Sequence, residues 1–358
     1  MKNSKPSPNP NLNPNPNPSS KLVVVEVAVA ILRYAEQFLL AQRALHQHQG
    51  GKLEFVGGKI EQGESGKAAL RREVQEEIGL HLQSDQLVCI GKIHHDYGDK
   101  AVCLHIYEVH LNEGQYQSLR HRRTGAENQR LYWLTLPQIL ANAERLPAAN
   151  LRILSWLKLP PLIYISRALG EFASADDFVH YYVDNLTNQA YFYLRACVSV
   201  DASIALLAAI RCRRDDIVLI VPYSLYQACK HQAMAVDGLL VKLTADELAY
   251  FYQNPWLLDK HLPIFVGVHD EVELIKANAL ARSHQVLAAW ISPVQATLSH
   301  PDAAALGWQG FAKLSCQCDV PSVALGGLSV DDWHTAKAHG AIAVAAIRGL
   351  LKMTDENC

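Results

Sequence analysis

A chain of 358 residues is long enough for two domains with full hydrophobic cores, and a formal net charge of −2 leaves no clustered basic excess of the kind duplex nucleic acid requires. No run of eighteen or more apolar residues is present, and the start Met1-Lys2-Asn3-Ser4 lacks the apolar core of a signal peptide, so the expectation is a cytoplasmic protein acting on a small phosphorylated molecule, without membrane or duplex partners. The eight cysteines read as free thiols, because the close pair Cys316-Gln317-Cys318 has neither the two-residue gap nor the second pair of a zinc knuckle.

Residues 1–20 repeat Asn-Pro and Ser-Pro and hold too little apolar surface to offset chain entropy, which predicts a disordered tail. From residue 21 the pattern becomes that of strands. Residues 22–33 and 38–43 read as a hairpin, Lys52 to Phe55 as a further strand followed by Gly57 and Gly58, and residues 87–97, 101–111 and 131–133 as three more. An acidic helix is predicted from about Glu64 to Ile78, with two further helices at 136–144 and 148–158. These elements make one α+β domain over residues 21–158. Leu159-Pro160-Pro161 marks a boundary. Beyond it, eight short apolar strands, beginning at residues 162, 190, 217, 238, 264, 286, 322 and 342, alternate with helical segments, the pattern of a parallel (β/α)₈ TIM-type barrel over residues 162–352.

The densest chemistry lies between Gly58 and Leu80, where five glutamates and two adjacent arginines stand between glycines. On a helix Glu73, Glu76 and Glu77 occupy positions i, i+3 and i+4, so their carboxylates share one face. Like charges at that spacing repel, and hard oxygen donors of this kind suit Mg²⁺, with Mn²⁺ as the alternative. Gly57 and Gly58 allow close backbone approach to a ligand, and a carbonyl there can join a metal shell. Arg72 reads mainly as a pairing partner for Glu64 or Glu73. His94-His95-Asp96 reads as a surface cluster and the basic run from Leu119 to Arg123 as a solvated loop.

Gly58, five residues, Glu64, seven residues, Arg72-Glu73-Val74, one residue, Glu76-Glu77, one residue, then Gly79-Leu80 fills every fixed position of the Nudix signature. The first domain therefore resembles the Nudix hydrolases, and more narrowly the MutT-type 8-oxo-dGTP diphosphatases through Lys52-Leu53-Glu54-Phe55-Val56-Gly57-Gly58-Lys59-Ile60-Glu61, with Val56 where the family usually has proline. The resemblance implies an α/β/α sandwich, metal binding by Gly57, Glu73, Glu76, Glu77 and Glu127, and water activation by one of the helix glutamates. It also implies substrate contacts from Arg43, His48, the Glu54-Phe55-Val56-Gly57 strand and Asn150, the last reading an oxidised purine through its amide. Asn150 could otherwise cap a helix. Mg²⁺-dependent hydrolysis of 8-oxo-dGTP to 8-oxo-dGMP and pyrophosphate, cleansing the nucleotide pool, is the implied activity.

The barrel resembles thiamine-phosphate synthase, most clearly in Pro321 to Leu328 and His339 to Ile347. The resemblance implies a phosphate cradle at Gly326 and Gly327. Catalytic positions depart from it: Arg195 remains, but Cys197 stands where a lysine is expected, Pro222-Tyr223 where Asn-Asp is expected, Leu240 to Leu243 where His-Leu-Gly-Gln is expected, and Leu298 follows Thr297 where a lysine is expected. A degenerate, ligand-binding or stabilising barrel is expected. The alternatives are a Nudix enzyme acting on a thiamine-pathway pyrophosphate, or a bifunctional protein with residual synthase activity.

Overall fold

The computed structural model describes residues 24–46, 49–98, 100–195, 198–297 and 304–351, so the expected tail at 1–20 and the residues His48, Cys197 and Leu298 lie outside the described residues. Strands β1 (Val24–Tyr34) and β2 (Gln37–Gln42) form the expected hairpin, and β3 (Leu53–Lys59) pairs antiparallel with both. With β4 (Leu87–Asp96), β5 (Ala101–His110) and β6 (Leu131–Thr135) they complete a six-stranded sheet in the order β4-β5-β1-β3-β2-β6, in which β1 and β5 run parallel. Strand β1 is apolar on both sides for a reason. Ala28, Ala30 and Leu32 pack into the core on one face, and Val29 and Ile31 into the core on the other.

Helix α1 (Gly66–Ile78) covers the first face through Ala69, Leu70, Val74 and Ile78. The Ser65 hydroxyl accepts from the Ala68 N–H at its start, and Gly79, at φ 68°, ends it by donating to the carbonyls of Gln75 and Val74. The helix thus begins two residues after the sequence expectation and stops where expected. A short helix α2 (Glu113–Leu119) follows β5 and was not anticipated; Asn112 caps it by accepting from the Gln115 N–H. Helices α3 (Leu136–Leu140) and α4 (Ala148–Leu157) lie beyond β6, and Ile139, Ala149, Ile153, Leu154 and Trp156 bury against the second face. Helix, sheet and helix therefore stack as three layers. Gly57 and Gly58 sit inside β3 rather than after it, because the β1–β3 ladder continues through Val29↔Gly57 and Ala28↔Gly58.

The eight later strands close on themselves with every pairing parallel: β7 (Leu162–Ile165), β8 (Tyr191–Tyr193), β9 (Val218–Pro222), β10 (Leu240–Leu243), β11 (Ile264–Val268), β12 (Val286–Ile291), β13 (Ser322–Leu325) and β14 (Ala341–Ala346). Phe265, Trp290, Ile163 and Val323 fill the barrel interior, and a larger core lies between strands and surrounding helices. The Lys92 N–H on β4 donates to the Cys318 carbonyl at 2.8 Å, which ties the outer edge of the sheet to the barrel. Among the described residues no helix is long and apolar enough to cross a membrane.

Gly79→Ala isolates one backbone constraint, since an added Cβ meets only the Arg122 guanidinium at 3.5 Å and the cost is the left-handed φ. We expect a loss of about 1 kcal/mol, read as a melting temperature lower by a few degrees in thermal unfolding with the same cooperativity.

Candidate active site

A cleft of about 790 Å³ opens where β3, the end of α1, the loop before β6 and the start of α4 meet. Its wall contains Arg43, Glu54, Phe55, Gly57, Gly58, Glu73, Glu77, Glu127 and Asn150. Local backbone rules place each of them. Alternation along β3 directs Glu54 to the cleft, beside the Arg43 guanidinium with which it forms an ion pair. Gly57 has φ 153°, and a Cβ there would stand 2.1 Å from the Ala28 carbonyl oxygen, so only glycine permits the ladder at this point. At Gly58 a Cβ would fall 2.2 Å from the Glu73 carboxyl carbon; the missing side chain is the space that Glu73 occupies.

The same helix that buries Leu70, Val74 and Ile78 turns Glu73 and Glu77 toward the cleft. Its last carbonyls are satisfied by the loop before β6. The Ala126 N–H donates to Glu77 O at 2.7 Å, the Gln129 side-chain amide to the same oxygen at 2.8 Å, and Arg122 Nη1 to Ile78 O at 3.0 Å. Those three bonds fix the loop that carries Glu127 next to Glu77. Arg72 bonds Glu64, Glu73 and Glu76 and donates to the Lys59 carbonyl at 3.0 Å, the pairing role expected for it. Its hydrogen bonds hold the Glu64 carboxyl below the usual carboxylate range.

Glu77 has no such partner. Among the described residues no cation lies within ion-pair distance of it; burial, then the charges of Glu54, Glu73 and Glu127, push its pKa up to about 9. Burial also raises Glu54 to about 7 against the pull of Arg43. A carboxylate that buries itself among three others without a counter-charge is one prepared for a cation. The donor set is all oxygen, from Glu54, Glu73, Glu77, Glu127 and the backbone at Gly57, which fits a hard divalent ion.

Glu76 stands apart: its side chain is 51% exposed, pairs with Arg72 and does not line the cleft. The Val56 side chain is fully buried beneath α1, so only its backbone faces the site's strand. Asn150 is 8% exposed and sits within α4 rather than capping it, since Pro147 holds the cap position. Among the described residues its side-chain amide has no hydrogen-bond partner. Sequence reasoning passed over Tyr97 and Lys100, which bring the β4–β5 turn to the cleft wall; the Gly-Asp turn after Tyr97 was the available signal. His94 binds Asp319 of the barrel at 3.2 Å instead of standing free on the surface.

Residues 24–157 match the family model described as NUDIX domain. Over 122 residues the chain is 34% identical to the 8-oxo-dGTP diphosphatase of Escherichia coli (strain K12), spanning 34% of this chain and 86% of that protein. The chain belongs to the Nudix hydrolase family. It is also 41% identical over 70 residues to the 8-oxo-dGTP diphosphatase of Proteus vulgaris, covering 20% of this chain and 61% of the relative. Against the CTP pyrophosphohydrolase of Escherichia coli (strain K12) it is 33% identical over 93 residues, covering 26% and 67%. Residues 203–350 match the model described as Thiamine monophosphate synthase, so the barrel is thiamine-phosphate-synthase-like. This Nudix enzyme therefore joins a pyrophosphohydrolase domain to a barrel of a second family.

Two outcomes follow from the Nudix cleft. Gly58→Ala places a methyl group where the Glu73 carboxylate sits, at an ordinary φ, so hydrolysis should fall at least about tenfold, some 1.4 kcal/mol, while thermal unfolding stays close to the parent. Because the folded pKa of Glu77 is raised from 4.5 to about 9, the metal-free fold loses stability as pH climbs through that interval, and binding of a divalent cation near pH 7 must expel a proton. Calorimetry of Mg²⁺ binding in two buffers of different ionisation enthalpy measures that proton; no buffer dependence would contradict the assignment.

Proposed function

We propose that this Nudix enzyme is a Mg²⁺-dependent hydrolase of 8-oxo-dGTP, releasing 8-oxo-dGMP and pyrophosphate and so acting in the cytoplasm to clear an oxidised nucleotide before replication. The observation that carries the reading is Asn150. Asn150 is a mostly buried residue of the same cleft wall as the carboxylates, and its amide, held in place by α4 and left open to the cleft without a protein partner among the described residues, can give its hydrogen bonds to a ligand in place of water. An amide offers one acceptor and two donors, the complement of a purine edge that carries both a carbonyl and an N–H. The relatives' names are consistent with either purine or pyrimidine triphosphates, and Asn150 is what favours the oxidised purine.

In this reading Glu73, Glu77, Glu127 and the Gly57 backbone would hold the ion, and Glu76 contributes through Arg72 from the helix surface. Bound Mg²⁺, or Mn²⁺ in its place, neutralises phosphate oxygens and stabilises the charge developing on them. Glu54 Oε2 stays with Arg43, leaving Oε1 to take a proton from the attacking water at neutral pH. The new P–O bond forms from that water as the bridging P–O bond breaks and pyrophosphate leaves. Phe55 and Arg43 line the path between the carboxylates and Asn150, placing the base and sugar. His48 belongs to the same proposal by sequence position alone.

Steady-state kinetics with 8-oxo-dGTP and dGTP test this directly. Asn150→Ala should reduce the preference for the oxidised base by about 10- to 100-fold, the worth of one or two lost hydrogen bonds, while dGTP hydrolysis persists. Glu77→Gln should abolish turnover of both. Equal kcat/KM for the two nucleotides in the parent enzyme would overturn the substrate assignment and leave the pyrophosphohydrolase chemistry standing.

A further inference from the structure

The barrel's strand ends surround a second cavity of about 450 Å³, lined by Ile165, Tyr193, Leu325 and Ile347 on its apolar side and by Trp290 and Lys242 at its floor. Among the described residues its charged lining is entirely basic: Arg195 and Lys242 contribute cations and His269 an imidazole, with no carboxylate. Lys242 lies on β10 opposite Phe265 of β11, and its Nζ donates to the Leu243 carbonyl at 2.7 Å and sits 5.6 Å from the Trp290 ring centre. Space for the amine comes from Gly267, where a Cβ would be 3.0 Å from Nζ.

The carboxylates nearest in effect are committed elsewhere: Glu247 accepts from the Thr244 N–H, and Glu273 pairs with His269 at 2.8 Å. Among the described residues Lys242 has no ion pair, and the indole N–H of Trp290 beside it is buried without an acceptor. A half-buried lysine in an apolar cavity, with only a carbonyl and an aromatic face to meet its charge, pays for desolvation without repayment. The result is an amine that gives up its proton more readily than an exposed lysine does. Burial lowers its pKa to about 8.

We propose that Lys242 forms an imine with a small carbonyl compound that also carries an anionic group, held in the barrel cavity with Arg195 as the counter-charge for the anion. The amine lone pair of Nζ attacks the carbonyl carbon to give a carbinolamine. Both amine protons then leave with the former carbonyl oxygen as water, and the C=N bond forms; no oxidant or reductant is needed. The cavity volume suits a phosphorylated aldehyde of single-ring size. Arg195, exposed at the rim and without an ion pair among the described residues, meets the anion while the amine meets the carbonyl. Nothing in this chemistry passes through the Nudix cleft, so it stands or falls apart from the nucleotide reading.

Pyridoxal 5′-phosphate is the probe, added to the full-length protein and trapped with sodium cyanoborohydride before peptide mapping by mass spectrometry. We expect the adduct on Lys242 at a reagent concentration at least about tenfold below that labelling the exposed Lys67 and Lys158, because more of its amine is neutral. Labelling should rise with pH through about 8. Lys242→Arg keeps the charge and should lose the adduct while nucleotide hydrolysis persists. Should that variant not fold, protection of Lys242 in the parent by pyridoxine 5′-phosphate, which lacks the aldehyde, gives the same decision. Labelling of Lys242 no faster than Lys67, or no protection by the alcohol, overturns the proposal.

Discussion

Four carboxylates, those of Glu54, Glu73, Glu77 and Glu127, are brought to one cleft, where Arg43 pairs with Glu54 and Arg72, from outside the cleft wall, with Glu73. Two unit charges 4 Å apart at an effective dielectric of about 20 repel by roughly 4 kcal/mol, a large part of the 5–15 kcal/mol by which a domain is ordinarily stable. The polypeptide nevertheless spends several backbone devices on keeping them there. Gly58 leaves room for Glu73, the loop before β6 is pinned to the last turn of α1, and Arg72 gathers Glu64, Glu73 and Glu76 into one network. Glu127 has solvent to relieve it; Glu77 is buried without a cation partner among the described residues, and it answers by holding a proton. The fold is arranged around a positive charge that the chain itself does not provide.

The barrel bears on that arrangement through β4. As the outer strand of the sheet, β4 would expose unpaired backbone groups to other chains. The segment Cys318–Val320 covers it: besides the Lys92 bond to Cys318, a Cβ at Gly91 would meet the Val320 carbonyl at 3.0 Å and the Trp156 ring at 3.2 Å. Trp156 belongs to α4, the helix that also carries Asn150, and β4 leads through Tyr97 to the cleft wall. A side chain at residue 91 would therefore disturb the joint and the helix bearing the base-reading amide together. The barrel has a structural reason to be present, apart from any ligand.

Much of this was legible in residues. The eight barrel strands stand where short apolar runs placed them, and the spacing of Glu73, Glu76 and Glu77 marked an acidic side of α1, away from the buried Leu70, Val74 and Ile78. What could not be read was contact between distant segments. Glu76 shares a helix face with Glu73 and Glu77, yet the rotation of about 100° between it and Glu77 sends it to Arg72 and solvent. Val56 shares a face of β3 with Glu54, but one step along the strand it lies beneath α1 and is buried in that core instead of reaching the cleft. Asn150 offered two readings, a helix cap or a cleft residue, and the cap fell to Pro147 because the helix starts two residues before Asn150. The isolation of Lys242 had no sequence signal at all, since it depends on Gly267 and Trp290 coming from other strands of a closed barrel.

The two cavities make opposite electrostatic demands. The Nudix cleft gathers anions and needs a cation before a polyphosphate can approach; the barrel cavity gathers cations and, among the described residues, has no acid in its lining to neutralise them. A barrel kept only to cover β4 would have no need of this. At the floor of an otherwise apolar interior, leucine or methionine in place of Lys242 would remove a desolvated charge and pack against Trp290 and Phe265. Covering an edge strand requires the outer loops of the barrel and not its strand ends. The basic lining therefore has to be explained by something that enters the cavity, whereas the joint at β4 is explained by the sheet, and the two roles occupy different parts of the same barrel.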